Sequence, residues 1–259
     1  MIGFLYAIII ILANTIGAIS GMGGGVIIKP IFDAIGVDSV AAITFYSTVA
    51  VFTMSIVSTL RQRKNMTIQL GTAGLISAGA VIGGIMGNLA FEKLLLWLDS
   101  EATVQLVQIV IMLLTIGFAW FVSEGQHSFG WKTASAHLLV GLVLGFLASF
   151  LGIGGGPINV ALLMLCFGMA IKEATVYSII TILCSQLAKI VTIATTTGFE
   201  RYDLTMLFYI IPAAIIGGFL GATLSGRLSA KRVRLVYQFV LIFVLLINVY
   251  NGVGILLGW

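Results

Sequence analysis

Residues 21–30 read GMGGGVIIKP, and residues 152–157 read GIGGGP. Each glycine run stands between two strongly apolar segments, so a helix entering it must break and expose its backbone. In hydrocarbon an unsatisfied N–H or C=O is costly, and irregular backbone at membrane depth is tolerated only where protein buries it or it lines a cavity. Two such breaks predict paired elements of one binding site, with the rest of the chain as scaffold around them.

Composition sets the class. Hydrophobic residues make up 60% of the 259 positions and charged residues 8%, a balance no soluble domain of this length can hide in a core. Apolar runs longer than the roughly 18 residues that span a bilayer recur from end to end. The expected fold is therefore an all-α integral membrane protein, a polytopic helical bundle whose first partner is the lipid bilayer. Outer-membrane strands would instead alternate apolar and polar residues over about ten positions. The net charge of +4 sits in short loops, where it orients helices, and does not call for nucleic acid. Cys166 and Cys184 lie inside apolar runs and read as packing residues, not as a disulfide or metal framework. Segment 2–19 has no basic residue before it and an equivalent in the second half, which reads as a mature helix and not a cleaved leader.

The chain repeats itself. A shift of 131 residues superposes Gly21, Gly23, Gly24 and Gly25 on Gly152, Gly154, Gly155 and Gly156, and Thr44, Tyr46 and Ser47 on Thr175, Tyr177 and Ser178. A slightly different offset aligns IGGIMG, ending at Gly87, with IGGFLG, ending at Gly221. This internal duplication predicts an N-terminal repeat over 1–123, a cytoplasmic linker over 124–133 and a C-terminal repeat over 134–259. Each repeat reads as one helix before the glycines, a short apolar piece after them and three long helices. The total is about eight long helices and two short glycine-interrupted segments.

Loop charge relates the halves. Arg61, Arg63 and Lys64 load one loop and Arg227, Lys231, Arg232 and Arg234 another, which places both in the cytoplasm. The loop from Glu92 to Glu101 and that around Glu200, Arg201 and Asp203 are net acidic and face outward. Corresponding loops then lie on opposite sides, the arrangement of an inverted-topology repeat with both termini outside. Whether each glycine element crosses twice or dips in and returns is open at this level. Inverted repeats with interrupted helices at matching positions point to a secondary transporter with its site at the repeat interface.

Chemistry follows from the residues near the breaks. Gly23, Gly24, Gly25, Gly154, Gly155 and Gly156 precede short helices, and free N–H groups at a helix N-terminus favour an anion. Close helix packing is the competing explanation for the same glycines. After the second run, Thr175, Ser178, Thr181, Ser185, Lys189, Thr192 and Thr196 recur every three or four residues along one helix face. Thr44, Ser47, Thr48, Ser55, Ser58 and Thr59 form a weaker stripe in the first half. Such hydroxyls also serve as interhelical glue. Lys189 within a span either faces a site or snorkels to the outer interface. Lys29 stands one turn before Asp33 and either pairs with it or acts as a substrate-linked switch. Asn159 adds a polar group beside the second run. His127 and His137 read as interfacial, as do Trp97, Trp120, Trp131 and Trp259, while Gly79, Gly83 and Gly87 with Gly217 and Gly221 read as packing ridges.

No HExxH, no paired intramembrane carboxylates and no Ser/His/Asp set stand at plausible depth, so no enzyme, cofactor or metal centre is expected. The glycine runs lack the strand before them and the Gly-Lys-Ser/Thr ending of a phosphate loop.

With GMGGGVIIKP, GIGGGP, the two-half organisation and A-T-x-Y-S at Ala174 to Ser178, the chain resembles the sulfite exporter TauE/SafE family of bacterial and archaeal permeases over essentially its whole length. The resemblance implies transport of sulfite, or of sulfoacetate or a related organosulfonate, across the cytoplasmic membrane, with export as the family direction. A small anionic substrate agrees with the N–H groups, hydroxyls and lysines read above. A homodimer is an assembly the sequence allows. The alternatives are a passive anion channel and a cation or metal transporter using Asp33. The second half departs from the first by placing Pro157 after its glycines and lacking an equivalent of Lys29, so the two hemisites are unequal.

Overall fold

The computed structural model describes residues 2–62, 69–98, 100–124 and 128–258. Arg63, Lys64, His127 and Trp259 lie outside them. Ten α-helices account for almost all of the described chain: α1 (Ile2–Ser20), α2 (Gly25–Ile35), α3 (Val40–Gln62), α4 (Leu70–Trp97), α5 (Glu101–Glu124), α6 (Ala134–Phe150), α7 (Pro157–Phe167), α8 (Ile171–Thr195), α9 (Leu207–Arg227) and α10 (Ala230–Leu257). A single 3₁₀ turn, Leu204–Met206, precedes α9. No strand occurs among the described residues. Seven helices are long and apolar enough to cross a membrane, α6 is a shorter apolar helix of 17 residues, and α2 and α7 have 11 residues each.

The two short helices end where glycine permits it. Gly36 and Gly168 adopt φ of 67° and 70°, and their N–H groups return to the Phe32 and Met164 carbonyls, the left-handed stop that closes a helix in under a turn.

Packing follows one scheme in both sets of five helices. α1 lies on α9 and α6 on α4; α3 lies on α9 and α8 on α4; α2 meets α10 and α7 meets α5. α3 and α8 lean on each other at the centre. Their spans are 72% and 67% buried against 33–44% for the other five long ones, so α3 and α8 form the core and the rest form the wall. The wall shows lipid-sized apolar groups outward, among them Phe208, Phe239 and Leu246.

The small-residue ridges are where the wall is tightest. A methyl placed on Gly79, Gly83 or Gly87 of α4 would overlap the carbonyls of Leu138, Leu142 and Phe146 on α6, and one on Gly141 or Gly145 of α6 would overlap those of Ile76 and Ala80. Gly221 of α9 meets Thr15 of α1 in the same way, and Gly217 meets Ile11. Backbones approach closely only where no side chain intervenes, and dispersion then works at full strength without a hydrophobic drive.

Three details differ from the sequence reading. Thr196 caps the end of α8 and is exposed, so the buried stripe stops at Thr192. Glu92 belongs to α4, not to a loop, because α4 runs on to Trp97; there it binds Arg201, with one contact at 3.0 Å. His137 is buried, its ring stacked on Phe167 at 4.3 Å and its Nδ1 2.7 Å from the Thr133 carbonyl, and so is not interfacial.

Candidate functional site

Each glycine run is a tight turn that lowers the following short helix back into the bundle. Gly21 and Gly23 have φ of 77° and 78°, and Gly152 and Gly154 both have 67°, a region that side chains other than glycine's rarely enter. The turns are held by the N–H groups of Gly21 and Gly23 donating to the Gly17 carbonyl at 2.9 and 3.3 Å, and of Gly154 donating to the Ala148 carbonyl at 3.2 Å. In α2 the N–H groups of Ile27 and Ile28 make the first bonds, both to the Gly24 carbonyl. Those of Gly25 and Val26 therefore precede the ladder. In α7 the Asn159 N–H bonds to the Gly156 carbonyl at 3.1 Å, and Pro157 sits in the first turn, where its missing N–H costs nothing. Pro157 stands where the first turn has Val26, so that one donor is missing from the second turn.

The two turns meet. A methyl on Gly25 would stand 2.6 Å from Ser47 Oγ and closer still to the Ile153 carbonyl, and one on Gly155 would stand 2.6 Å from the Met22 carbonyl. Each turn also lies against the central helix of the other set: Gly21 against Thr175 of α8, Gly152 against Thr44 of α3. Ser178 Oγ donates to the Gly21 carbonyl at 2.6 Å. Its counterpart Ser47 Oγ is buried without a partner, as is Thr44 Oγ1. Asn159 is 1% exposed and neither its Nδ2 nor its Oδ1 is bonded. Buried polar atoms normally find partners, and these four atoms of Thr44, Ser47 and Asn159 have none among the described protein groups.

The structure sorts the remaining candidates. Thr48, Thr175, Thr181 and Thr192 each donate to the carbonyl four residues back, and Ser185 donates to Ile182; their hydroxyls are satisfied by their own helix. Lys189 does not snorkel: it is fully buried, and its Nζ donates to the Ser149 carbonyl at 2.8 Å. Lys29 pairs with Asp33 at 2.8 Å, both side chains about 95% removed from solvent at 4% and 5% exposure. The pair borders a cavity of about 10 Å³ shared with Gln108, Asn248 and Ile153. Lys29 therefore stands beside the second turn with its charge already answered.

Asn14, Asn88, Ser149 and Gln186 escaped the sequence reading. All four are fully buried, and each carries at least one unpaired polar atom. For the three amides the signal was available, because an amide inside a membrane span is costly unless partnered: Asn88 stands in an apolar stretch, and Asn14 and Gln186 stand beside Thr15 and Ser185.

Two tyrosines close the bundle above and below. Tyr46, near the start of α3, donates to the Asp203 carbonyl beyond the end of α8 at 3.2 Å. Tyr177, near the start of α8, accepts from the Gln69 N–H beyond the end of α3 at 2.9 Å. α3 and α8 run antiparallel, so the two bonds lie at opposite ends of the molecule. Phe45 stacked on Tyr202 at 4.2 Å reinforces the first end, and Lys172 Nζ on the Leu228 carbonyl at 2.9 Å the second.

A multi-pass helical bundle with two glycine-broken helices meeting at its centre has the architecture of a membrane transporter. The chain belongs to the sulfite exporter TauE/SafE family, whose model matches residues 6–248. It is 24% identical to a probable membrane transporter protein, YunE, of Bacillus subtilis over 268 aligned positions, covering 94% of this chain and 96% of the relative. It is 26% identical to a probable membrane transporter protein of Methanocaldococcus jannaschii over 256 positions, covering 92% and 91%. No solved structure matches the chain significantly.

Proposed function

We propose that this transporter moves a small sulfur-containing oxyanion, sulfite or an organosulfonate such as sulfoacetate, across the cytoplasmic membrane by alternating access, in the direction of export. The observation that carries the reading is the junction of the two glycine turns, where N–H groups at two helix N-termini and the unpaired Thr44, Ser47 and Asn159 converge. Helix N-termini and neutral donors suit a tetrahedral or pyramidal oxyanion, and Lys189 supplies nearby positive charge. Because the turns touch, an anion enters only when they separate. The glycine ridges that tie α1 to α9 and α4 to α6 favour these mixed pairs, rather than the two sequence halves, as the bodies that rock about the junction. In this reading the halves are an inverted repeat and the tyrosine bonds close the outer and inner ends in turn. Asp33, bound to Lys29, is a poor ligand for a metal cargo, which weighs against a cation transporter.

The test is counterflow in proteoliposomes loaded with sulfite, with sulfite, sulfoacetate, sulfate, chloride or nickel outside. Saturable exchange of a sulfur oxyanion that falls at least about tenfold in Asn159→Leu supports the proposal. Unsaturable flux would make the protein a channel, and indifference to every sulfur oxyanion would remove the substrate class.

A further inference from the structure

Lys29 stands one turn from the glycine junction and one turn from a carboxylate. Gly25, Lys29 and Asp33 follow at steps of four residues in α2, so they share one face, and each step advances about 6 Å along the axis. Gly25 lies against the Ile153 carbonyl of the second turn. Asp33 holds the ammonium at 2.8 Å. A lysine side chain is long enough to trade one neighbour for the other, so α2 carries a cation with two stations.

Asp33 is only half used. Its Oδ2 meets Lys29, while Oδ1 is buried and unbonded, as is Gln108 Oε1. Both residues border the cavity of about 10 Å³, which is room for about one water. Gln105 of α5 and Asn248 of α10 complete the polar surroundings, and Asn251 Nδ2 donates to the Pro30 carbonyl at 2.8 Å. Three residues after Asp33 the chain reaches exposed Gly36, followed by exposed Val37, so the open oxygen lies near solvent.

The other ionisable groups around α2 are engaged elsewhere or face away. Tyr6 of α1 donates to Asp38, and Tyr46 of α3 donates to the Asp203 carbonyl. Glu101 at the start of α5 accepts from the Val40 N–H. On α10, Tyr237 donates to the Pro157 carbonyl and Tyr250 is half exposed. Lys189, beyond the turn, donates to the Ser149 carbonyl. A metal ion does not fit the space, because the ammonium occupies one carboxylate oxygen and the cavity is too small for a hydrated cation. A proton needs no room. The arrangement also exists only once: the corresponding residues of the second half are Gly156, Val160 and Met164, with no charge to move.

We infer that Asp33 is the proton-coupling site of the transporter, and that Lys29 is the group it switches. A proton from water adds to Asp33 Oδ1, the carboxylate becomes a neutral carboxylic acid, and the ion pair is lost. The freed ammonium turns toward the junction, where it faces the anion. When the anion leaves, Lys29 returns to Asp33 and the proton departs to water. Each cycle carries one proton and one anion in the same direction, so export proceeds while the anion gradient outweighs any opposing proton gradient. The inference rests on the oxyanion reading above and adds its driving ion.

The experiment measures net uptake of the sulfur oxyanion that exchanges, sulfoacetate or sulfite, above that of protein-free liposomes. The full-length protein is placed in liposomes about one pH unit more acid outside, with the membrane potential clamped by potassium and valinomycin. Wild type accumulates the anion up to about tenfold, the factor in proton activity across one pH unit. In Asp33→Asn, which fixes the site in its uncharged form, accumulation falls to about onefold and the remaining counterflow no longer changes with pH. Lys29→Met combined with Asp33→Leu removes both charges and lowers counterflow at least about tenfold while still assembling, and it decides the question if the asparagine variant does not assemble. A wild type that equilibrates the anion without accumulating it, an Asp33→Asn protein that still accumulates it, or a double variant that exchanges as wild type does overturns the inference and leaves anion transport standing. Absence of counterflow with both sulfite and sulfoacetate removes the parent reading, and this one with it.

Discussion

Gly25→Ala isolates the meeting of the two turns from every other use of glycine. Gly25 is the first residue of α2 and does not have positive φ, so alanine is compatible with its backbone and the substitution acts through volume alone. The added methyl would stand 2.6 Å from Ser47 Oγ and nearer to the Ile153 carbonyl, where ordinary contact needs about 3.4 Å or more. The Ile153 carbonyl is the tighter contact, so the turns must separate by roughly 1.4 Å, which forfeits more than half of the local dispersion well. Overpacking of this kind costs about 1–3 kcal/mol. Gly71 at the start of α4 has nothing within 4 Å of a new methyl, and Gly71→Ala gains up to about 1 kcal/mol of helix propensity. The two variants should therefore separate by about 1–4 kcal/mol in a melt of the detergent-solubilised protein. Counterflow should fall at least tenfold in Gly25→Ala only. Wild-type melting and exchange in Gly25→Ala would refute the contact between the turns and the site built on it.

The buried pair Lys29 and Asp33 gives a second prediction: Asp33→Leu alone destabilises by about 3–5 kcal/mol, and adding Lys29→Met recovers most of it, measured by the same melt; transport in the double variant would show that the pair is structural. Gly83→Ala, whose methyl would overlap the Leu142 carbonyl, costs about 1–3 kcal/mol, and its loss of thermal stability should be independent of substrate. Tyr46→Phe and Tyr177→Phe each remove one hydrogen bond, about 1 kcal/mol. Because the bonds sit at opposite ends, the two variants should raise reactivity of a cysteine at the glycine junction toward a membrane-impermeant reagent from opposite sides. Equal effects from one side would contradict the antiparallel placement.

The helical class and most helix positions are legible from apolar length, because in a bilayer the backbone has no alternative to the helix. The glycine runs announce the two breaks, since no other residue takes their backbone angles easily. What the sequence does not reveal is which polar groups the fold leaves unsatisfied. Thr175 and Ser185 carry the right spacing yet are consumed by carbonyls of their own helix, whereas Ser47 and Asn159 are left open by the way two distant segments meet. Asn88 announces itself as an amide in an apolar span, but Ser149 does not, and nothing local shows that the fold leaves either side chain unpaired. Lys29 has a partner within one turn, and there local spacing is sufficient.

The glycine ridges join α1 to α9 and α4 to α6, so close backbone contacts of the wall link segments made at different times. At about 5–20 residues per second, α1 emerges from the ribosome on the order of ten seconds or more before α9 exists to cover it. Its bare glycine and alanine face must wait in lipid or against another protein. α4 waits far less for α6. Assembly of this protein in the membrane should therefore proceed from the middle of the chain outward, with the first helix made among the last to be seated.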